Sequence, residues 1–385
     1  MKSVSDAAPT SRPTARAFPA GVPILIYPGA DITLRPTGES DLLAIVEQCR
    51  DPETIRWTLS VPNPPGGYQL RHAQEFLAMA ATGWEDGTRL NWTVEAVRGG
   101  VRQHCGLVTL RLEDPGWGEI GFALHPQARG RGLMSGAVRL VRDYGFDVVG
   151  LSTLRWRAIA GNWPSRRVAA AAGFTFDALV RRLLVQRGTL VDGWVATMTG
   201  EDPRTPRRGL VPVELLGTGI VLRPFGEGDV ERIVEACSDA RTRHWLVSLP
   251  RPYQRAHALD YVEHARELAA RGTGLVWCIA DVGDDRCLGS IGLEGLGSYA
   301  PRAEIGYWAH PQARGRGLVT EAVRLVTRYA QSAGLATSLV IRCAVENLAS
   351  RHVAEDAGYR EVGGLPGAEP VGDGHLSELV LYALP

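Results

Sequence analysis

Glu119-Ile-Gly-Phe-Ala-Leu-His-Pro-Gln-Ala-Arg-Gly-Arg-Gly-Leu133 sets the organisation of the chain, because it recurs as Glu304-Ile-Gly-Tyr-Trp-Ala-His-Pro-Gln-Ala-Arg-Gly-Arg-Gly-Leu318. The second copy follows the first after 185 positions (119 to 304). Each copy begins with a short apolar run of strand character, is interrupted at His-Pro, and passes through a loop with two glycines. Both copies then continue into a helical pattern. The sequence therefore predicts the order strand, tight loop, helix in two places.

The helix after each loop is predicted from the spacing of its apolar residues. Residues at i, i+4, i+7, i+8 and i+11 fall on one helical face in both copies. The loop therefore lies at a helix N-terminus, where the first amide groups lack intrahelical partners and the helix dipole adds positive potential. Such a loop can bind a phosphate group. The apolar residues are Leu133, Ala137, Leu140, Val141 and Tyr144, repeated as Leu318, Ala322, Leu325, Val326 and Tyr329.

Glycines and arginines give both loops further features of a phosphate site. The glycines have no Cβ atom to block a ligand, and the arginines carry a permanent charge that suits phosphate oxygens. Nothing in the loops suggests a set of metal ligands, so we expect no metal. The glycines are Gly130, Gly132, Gly315 and Gly317. The arginines are Arg129, Arg131, Arg314 and Arg316.

Two common phosphate loops do not fit these residues. A P-loop needs a lysine after its last glycine, and neither copy has one. A dinucleotide fingerprint needs a third glycine, where the copies have Ser135 and Thr320. The remaining pattern, Gln127-x-x-Gly130-x-Gly132 and its repeat from Gln312, resembles the pyrophosphate loop Gln/Arg-x-x-Gly-x-Gly/Ala of the GNAT superfamily of acyl-CoA N-acyltransferases. The alternative is a glycine-rich turn that only caps a helix.

Length and composition are those of a protein with two ordinary globular domains. The chain has 385 residues, with 42 basic and 42 acidic side chains and six cysteines that lie far apart. A balanced charge gives no attraction to nucleic acid or membranes, and dispersed cysteines are typical of reduced thiols in a cytoplasmic protein. We therefore expect neither a nucleic-acid nor a membrane partner. The expected divisions are a disordered tail (1–21), a first domain (22–200), a linker (201–212) and a second domain (213–385).

The order of strands and helices resembles the GNAT fold over roughly residues 30–200 and 218–384. The resemblance implies an α/β (α+β) architecture of two tandem GNAT folds, each a mixed, splayed β-sheet with helices on both faces. Glu-Ile-Gly-Phe/Tyr before the loop and Asn-x-x-Ser after it are similar to the branch that contains ribosomal-protein N-terminal acetyltransferases. Antibiotic-modifying enzymes share this branch, so antibiotic modification is one possible role.

The resemblance also implies acetyl-CoA as the cofactor, with coenzyme A as the product. Its pantetheine arm would pair with backbone just before the loop, its pyrophosphate would bind the loop, and an asparagine amide would contact the arm. The residues so implied in the first domain are Phe122, Ala123, Leu124, Gln127, Ala128, Arg129, Gly130, Arg131, Gly132 and Asn162. Those in the second are Tyr307, Trp308, Ala309, Gln312, Ala313, Arg314, Gly315, Arg316, Gly317 and Asn347.

Two glutamates and two serines are the candidates for catalytic roles. Glu119 and Glu304 begin the strands before the loops and are candidate general bases, or else partners of nearby arginines. Ser165 and Ser350, three residues after the asparagines, either cap a helix or protonate the leaving thiolate. Many GNAT enzymes have a tyrosine acid four residues before the helix-ending glycine. Both copies have alanine there, which leaves serine or water as the acid.

The two copies are not equivalent. The first has Gly136 inside its helix, which costs about 1 kcal/mol relative to alanine, and Pro164, which is tolerated only near a helix start. If one half has lost turnover, these residues favour the first. The function that the resemblance implies is acetyl transfer to a primary amine of a small molecule or protein N-terminus, by direct attack in a ternary complex. The alternatives are a non-catalytic acyl-CoA-binding protein and a transferase with another donor. We expect a monomer with an internal pseudo-dimer, or a homodimer.

Overall fold

The computed structural model describes residues 21–27, 32–113, 116–207, 209–297, 302–372 and 374–384. The chain forms two units that divide between Arg207 and Arg208. The tail expected over residues 1–21 lies outside the described residues, apart from Gly21. Each unit contains one mixed β-sheet and is described by itself below.

The sheet of the first domain has the strand order β1-β2-β3-β4-β5-β6-β8-β7 in the described residues. All neighbouring strands are antiparallel except β5 and β6, which are parallel. The strands are β1 (Leu25–Ile26), β2 (Ile32–Pro36), β3 (Arg89–Arg98), β4 (Val101–Glu113), β5 (Trp117–Leu124), β6 (Thr153–Ile159), β7 (Thr175–Gln186) and β8 (Thr189–Thr199).

The sheet of the second domain repeats this arrangement. Its order is β9-β10-β11-β12-β13-β14-β16-β15, and only β13 and β14 are parallel. The strands are β9 (Leu215–Leu216), β10 (Ile220–Arg223), β11 (Gly274–Asp281), β12 (Cys287–Glu294), β13 (Arg302–Ala309), β14 (Ser338–Ala344), β15 (Arg360–Pro370) and β16 (Leu376–Ala383).

Five helices accompany each sheet in the described residues. In the described part of the chain, no helix has the length and apolar character needed to cross a membrane. The first domain contains α1 (Leu42–Arg50), α2 (Pro52–Trp57), α3 (Leu70–Glu85), α4 (Leu133–Asp147) and α5 (Trp163–Ala171). The second contains α6 (Val230–Ser238), α7 (Ala240–Trp245), α8 (Arg255–Arg271), α9 (Leu318–Ser332) and α10 (Leu348–Asp356).

Apolar residues bury both faces of each sheet, as the resemblance to GNAT folds implied. On one face of the first sheet, the apolar stripe of α4 packs with Trp92 and Trp156 in the main core. On the other face, Ile45 and Ala73 from α1 and α3 form a smaller cluster against Leu107. Each helix is amphipathic and therefore stable only against the sheet. The second domain has two equivalent clusters.

The parallel pair of strands separates after three residues in each domain. Strand β5 pairs with β6 only through Trp117, Gly118 and Glu119, and β13 pairs with β14 only from Arg302 to Glu304. Beyond these residues, in the part of the chain that the structure describes, β5 and β13 are paired only with β4 and β12 on their other side. We call this point the fork of each sheet. Backbone groups beyond it face a gap rather than a neighbouring strand.

Packing explains the two residues that set the first copy apart. A Cβ atom at Gly136 would lie 2.7 Å from Cδ1 of Ile32, so the glycine lets α4 approach β2 closely. Pro164 is the second residue of α5, in the first turn, where the missing N–H has no helical partner to lose. Both residues therefore have a reason in packing or helix position, and which domain turns over stays a prediction.

The segment expected to be a linker is attached to each domain in turn. Arg207 donates its backbone N–H to the carbonyl of Ala170 at 2.8 Å, and Arg204 pairs with Asp147 in the first domain. Leu210 donates its backbone N–H to the carbonyl of Ala269 at 2.7 Å in the second domain. Both ends of the segment are therefore held by hydrogen bonds to their own domain.

Two glycines fix the distance between the strands that lead to the loops. A Cβ atom at Gly106 would lie 2.3 Å from the carbonyl oxygen of Ala123, and one at Gly289 would lie 2.5 Å from that of Trp308. Gly106 also has a φ angle of 150°, which L-residues rarely adopt. Only glycine allows β4 and β12 to come this close to the strands that end at the loops.

We expect Gly106→Ala to lower the free energy of unfolding of the first domain by about 2 to 4 kcal/mol, because it combines backbone strain with a backbone clash. Gly121→Ala is the matched control on β5, since its Cβ would meet no atom within 4 Å. It should change stability by about 0.5 kcal/mol or less. Differential scanning calorimetry of the full chain measures both. Equal melting of the two variants would contradict the packing argument.

Candidate functional site

A cleft opens beyond the fork of each sheet. The first has a volume of about 660 Å³ and is lined by the end of α2, the end of β5, the glycine loop and the starts of α4 and α5. The second has a volume of about 570 Å³ and is lined by the same elements of its own domain and by β15. Each cleft therefore joins the exposed strand backbone to the glycine loop.

The loops have the geometry that the glycines predicted. Gly130 and Gly132 have φ angles of 75° and 71°, and Gly315 and Gly317 have 70° and 71°. Gly132 and Gly317 are the N-caps of α4 and α9, and neither makes a side-chain cap. The first amide groups of both helices are therefore left for an external acceptor, and the helix dipole favours an anion.

The arginines of the loops divide into two kinds. Arg129 and Arg314 line the clefts, where each binds a carboxylate, Asp51 and Asp239 respectively. Burial opposes ionisation of Asp51, but the Arg129 guanidinium holds its pKa below the usual value. Arg131 and Arg316 are not among the residues that line the clefts in the described structure. The loop arginine that an anion meets in either cleft therefore already shares its charge with an aspartate, while Arg167 in the first cleft and Arg241 and Arg342 in the second also line the walls.

Glutamine side chains of the motif do not line the clefts. Gln127 lines a smaller cavity behind the loop, and Gln312 is absent from the lining of the second cleft among the described residues. The backbone N–H of each glutamine donates to Nδ1 of the preceding histidine, His125 or His310. These residues shape the turn, in which Ala128 and Ala313 are buried.

Backbone before the loops is presented as the resemblance implied. Phe122, Ala123 and Leu124 line the first cleft, and Tyr307, Trp308 and Ala309 line the second. These residues lie beyond the fork, so their outer backbone groups have no strand partner in the sheet. An extended chain with amide groups could pair there as an additional strand.

Asparagine rather than serine caps α5 and α10. Oδ1 of Asn162 accepts the backbone N–H of Ser165, and Oδ1 of Asn347 accepts that of Ser350, both at 3.2 Å. The expectation that the serines cap these helices is therefore wrong, because each serine is the third residue of its helix and donates to the cap. The remaining polar group of each asparagine side chain is its NH₂.

Serine hydroxyl groups enter both clefts with different partners. Trp156 donates Nε1–H to Oγ of Ser165 at 3.1 Å. Tyr307 places its hydroxyl 3.0 Å from Oγ of Ser350 and donates to the Ser350 carbonyl at 3.0 Å. An indole cannot release a proton at neutral pH, whereas a phenol can take part in proton transfer. The two clefts therefore differ in chemistry at the same position.

Tyr307 is a functional candidate whose side chain the sequence did not indicate. The resemblance implies a role only for the backbone of this residue, and the first domain has Phe122 in its place. Burial raises the pKa of Tyr307, so its phenol stays protonated at neutral pH. The exchange of phenylalanine for tyrosine between otherwise matching motifs was the available signal.

The two candidate bases stand at the forks and outside the residues that line the clefts. Glu119, whose side chain is 11% exposed, binds Arg111 at 3.0 Å and Nε of Arg157 at 2.7 Å. Glu304, which is 36% exposed, binds Nε of Arg342 at 2.7 Å. Each glutamate thus joins the two parallel strands where they begin to separate. Both glutamates are therefore partners of nearby arginines.

Other carboxylates line the clefts instead. Glu53 lies in the first cleft and accepts the indole N–H of Trp57 at 2.9 Å. Asp356 and Glu369 lie in the second, together with Trp245. Periodicity could not identify them, because they come from a short helix, a helix end and a late strand. Trp57 and Trp245, at the ends of α2 and α7, line the clefts beside them.

One group of possible metal ligands lies away from both clefts. Among the described residues, Asp229, Cys278 and Cys287 bring their ligand atoms within 4.8 Å of one another. The Asp229 carboxylate already accepts two hydrogen bonds from Arg223 and one from the backbone of Gly226. A hydrogen bond with Cys287, together with burial, raises the pKa of Cys278. The cluster is therefore occupied by the Arg223–Asp229 ion pair and by a Cys278 thiol whose raised pKa disfavours the thiolate that a metal would need.

Comparison with known proteins identifies the domain twice. The family model described as Acetyltransferase (GNAT) domain matches residues 31–175 and 220–360. A Bacillus subtilis protein provisionally named a ribosomal N-acetyltransferase, YdaF, is 29% identical over 172 residues, which are 43% of this chain and 90% of that protein. The Escherichia coli ribosomal-protein-serine acetyltransferase is 35% identical over 101 residues, which are 26% of this chain and 55% of that enzyme.

Two solved structures are also similar to part of the chain. RimJ of Mycobacterium smegmatis, in complex with a coenzyme A disulfide, has 20% identity and a TM-score of 0.41, over 47% of this chain and 87% of that one. RimL, a ribosomal-protein acetyltransferase in complex with coenzyme A, has 20% identity and a TM-score of 0.41, over 44% and 97%. The twofold domain match covers most of the chain.

We expect Glu119→Gln to lower the free energy of unfolding of the first domain by about 1 to 3 kcal/mol, because an uncharged amide cannot satisfy two guanidinium groups. Glu304→Gln is the matched change in the second domain. It should cost less, because Glu304 has one arginine partner and is more exposed. Calorimetric unfolding of both full-length variants tests this order. A larger loss for Glu304→Gln would show that the fork contacts are not what stabilises the strands.

Proposed function

The chain belongs to the GNAT family of acetyltransferases and carries two copies of the domain, and on this premise we propose that its second cleft transfers acetyl from acetyl-CoA to a primary amine. One observation carries the proposal. In the second domain the glycine loop, the unpaired strand backbone and a protonated phenol hydrogen-bonded to a serine all line one cleft. These are the groups that thioester aminolysis requires.

The acyl donor would be bound mainly by backbone groups, which are the same whatever the side chain. The diphosphate would accept from the unbonded amides at Gly315, Gly317 and the start of α9. The amide groups of the pantetheine arm would pair with the outer backbone of Tyr307 to Ala309, and the NH₂ of Asn347 would donate to the same arm. The thioester would then lie beyond the fork, beside Ser350.

The reaction forms one bond and breaks another. The neutral amine nitrogen attacks the thioester carbonyl carbon, and backbone N–H groups of β13 stabilise the oxyanion that develops. The carbon–sulfur bond then breaks, and the thiolate takes a proton from the Ser350 and Tyr307 hydroxyl pair. The proton that the amine loses passes to water or to a cleft carboxylate such as Glu369, and the hydroxyl pair regains its proton from water. Amide and free thiol are the products.

The first cleft has the binding groups without the phenol. The first domain has Phe122 where the second has Tyr307, and the Ser165 hydroxyl accepts a hydrogen bond from the Trp156 indole. We propose that this cleft also binds acyl-CoA, while the second performs the faster turnover. The acceptor is a primary amine, and the names of the ribosomal acetyltransferase relatives favour a protein N-terminus over a small molecule. The balanced net charge supports neither nucleic acid nor membrane as a partner.

Calorimetric titration of the full chain with coenzyme A tests the cofactor sites. We expect wild type to bind two equivalents, Gly130→Glu and Gly315→Glu one each, and the double variant none, because a carboxylate replaces the anion at the loop. Gly130→Ala and Gly315→Ala are the matched controls. They add only strain at a positive φ, since a Cβ there meets no atom within 4 Å, and should weaken binding about tenfold or less.

Release of free thiol from acetyl-CoA across a panel of amines, measured on the same variants, assigns turnover. Gly315→Glu should remove most of the thiol release, and Gly130→Glu should leave most of it. Unchanged coenzyme A binding by both glutamate variants would refute the assigned sites. Loss of turnover only in Gly130→Glu would refute the assignment of catalysis to the second domain.

Tyr307→Phe should lower kcat about 100-fold and leave KM for acetyl-CoA within about threefold, because it removes a proton donor without touching the backbone that binds the arm. The matched control is Tyr359→Phe in the same domain. The Tyr359 hydroxyl bonds Thr327 at 2.8 Å outside the cleft lining, so kcat should not change. Steady-state kinetics with a responsive amine measure both. Wild-type kcat in Tyr307→Phe would exclude the phenol from the reaction.

A further inference from the structure

A cavity of about 270 Å³ lies behind the glycine loop of the first domain, outside the cleft described above. Its walls come from α1, β4, the turn before the loop and the loop itself. The residues that matter here are Ala44, Glu47, His104, His125 and Arg131. The proposed acetyl transfer uses none of the side chains that line this cavity.

In the second domain, an arginine side chain of the protein itself occupies the equivalent place. Ala44 and Arg232 are both the third residue of their helices, α1 and α6. Arg232 is 17% exposed and donates from Nε to the carbonyl of Cys287 at 3.2 Å and from Nη1 to Glu235 at 2.9 Å. A guanidinium group therefore lies between a strand carbonyl and a helix carboxylate in the second domain.

The first domain keeps the acceptors of that guanidinium and lacks the guanidinium. Glu47 is in the place of Glu235. The carbonyl of His104 is in the place of that of Cys287, because the next residues, Cys105 and Leu288, accept the backbone N–H of His125 and His310 respectively. With alanine at position 44, no side chain reaches between these acceptors from α1. Glu47 is 71% exposed, and among the described residues it has no arginine contact like that of Glu235.

His125 shows a further effect of the missing group. Its Nδ1 accepts the backbone N–H of Gln127, so its proton is on Nε2. This Nε2 is buried and lies 3.4 Å from Oε2 of Glu47 without forming a hydrogen bond. In the second domain Nε2 of His310 is 3.1 Å from Oε2 of Glu235 and is hydrogen-bonded to it. Arg232 holds that carboxylate in position, and Glu47 has no such partner.

We propose that the cavity behind the first loop binds a small organic cation of the guanidinium class, which takes the place that Arg232 fills in the second domain. The Glu47 carboxylate and the His104 carbonyl would accept its N–H groups, as Glu235 and the Cys287 carbonyl do for Arg232. Arg131 lines the same cavity, and the second domain has Arg316 at the equivalent position together with Arg232.

Such a ligand would contact the turn that leads into the glycine loop. Ala128 and Arg131 belong to the turn and the loop, and both also line the cavity. The site is distinct from the acetyl transfer cleft, since Gly130 and Gly132 line the cleft and not this cavity. Occupation of the cavity can therefore be measured while the clefts are filled.

The test is a calorimetric titration of the full chain with methylguanidinium chloride in saturating coenzyme A. Tetramethylammonium chloride, a cation without N–H donors, is the control for charge alone and should not bind. Wild type should bind one equivalent with a dissociation constant of about 1 mM, as expected for a ligand of this size. Glu47→Gln should weaken binding about tenfold, because it removes the charged acceptor.

Substitutions at the two equivalent helix positions decide the outcome. Ala44→Arg should abolish binding without lowering the melting temperature, since the new side chain copies Arg232, and Ala44→Met should block the cavity by volume alone. Arg232→Ala should raise the stoichiometry from one to two. No heat from wild type at about 50 mM, unchanged binding in Ala44→Met, or a stoichiometry of one in Arg232→Ala would each overturn the proposal.

Discussion

Both domains depend on a strand whose backbone hydrogen-bond donors and acceptors are paired along only part of one edge. A parallel pair of strands that separates after three residues leaves main-chain groups without partners, and such groups are costly unless something binds them. In each domain, one contact on each side of the separating strand maintains this arrangement. Glu119 and Glu304 hold the strands together where pairing ends, and Gly106 and Gly289 hold the other edge by close backbone approach. The cleft is therefore a consequence of how the sheet is built.

Because the domain is duplicated, its two copies can be compared within one chain. Both copies keep the left-handed glycines, the asparagine caps and the arginine to aspartate contact beside the loop. They differ where side chains enter the cleft or fill space around it. Phenylalanine replaces tyrosine beside the serine, and alanine replaces arginine behind the loop. The shared residues define how a diphosphate and an extended arm could be held, and the differing ones define what each copy does in addition.

Much of the fold could be predicted from sequence because it depends on local patterns. Apolar periodicity predicted α4 and α9, and the glycine positions predicted the loop before them, since both are properties of neighbouring residues. The short helix α2 was missed, because six residues beginning with proline show no periodicity. The direction of Glu119 could not be predicted, since alternation along a strand needs a known register. The contact between Tyr307 and Ser350 joins residues 43 positions apart, and only the folded sheet brings them together.

The ion pairs at the forks are made with arginine, and this choice matters for a protein of this chemistry. An ε-amino group is itself a nucleophile towards thioesters, whereas a guanidinium stays protonated and unreactive at every physiological pH. Lys2 is the only lysine in the sequence, so no cation in the described domains offers an amine. A catalyst that moves acetyl groups onto amines thus offers its own reagent no lysine amine in the described domains.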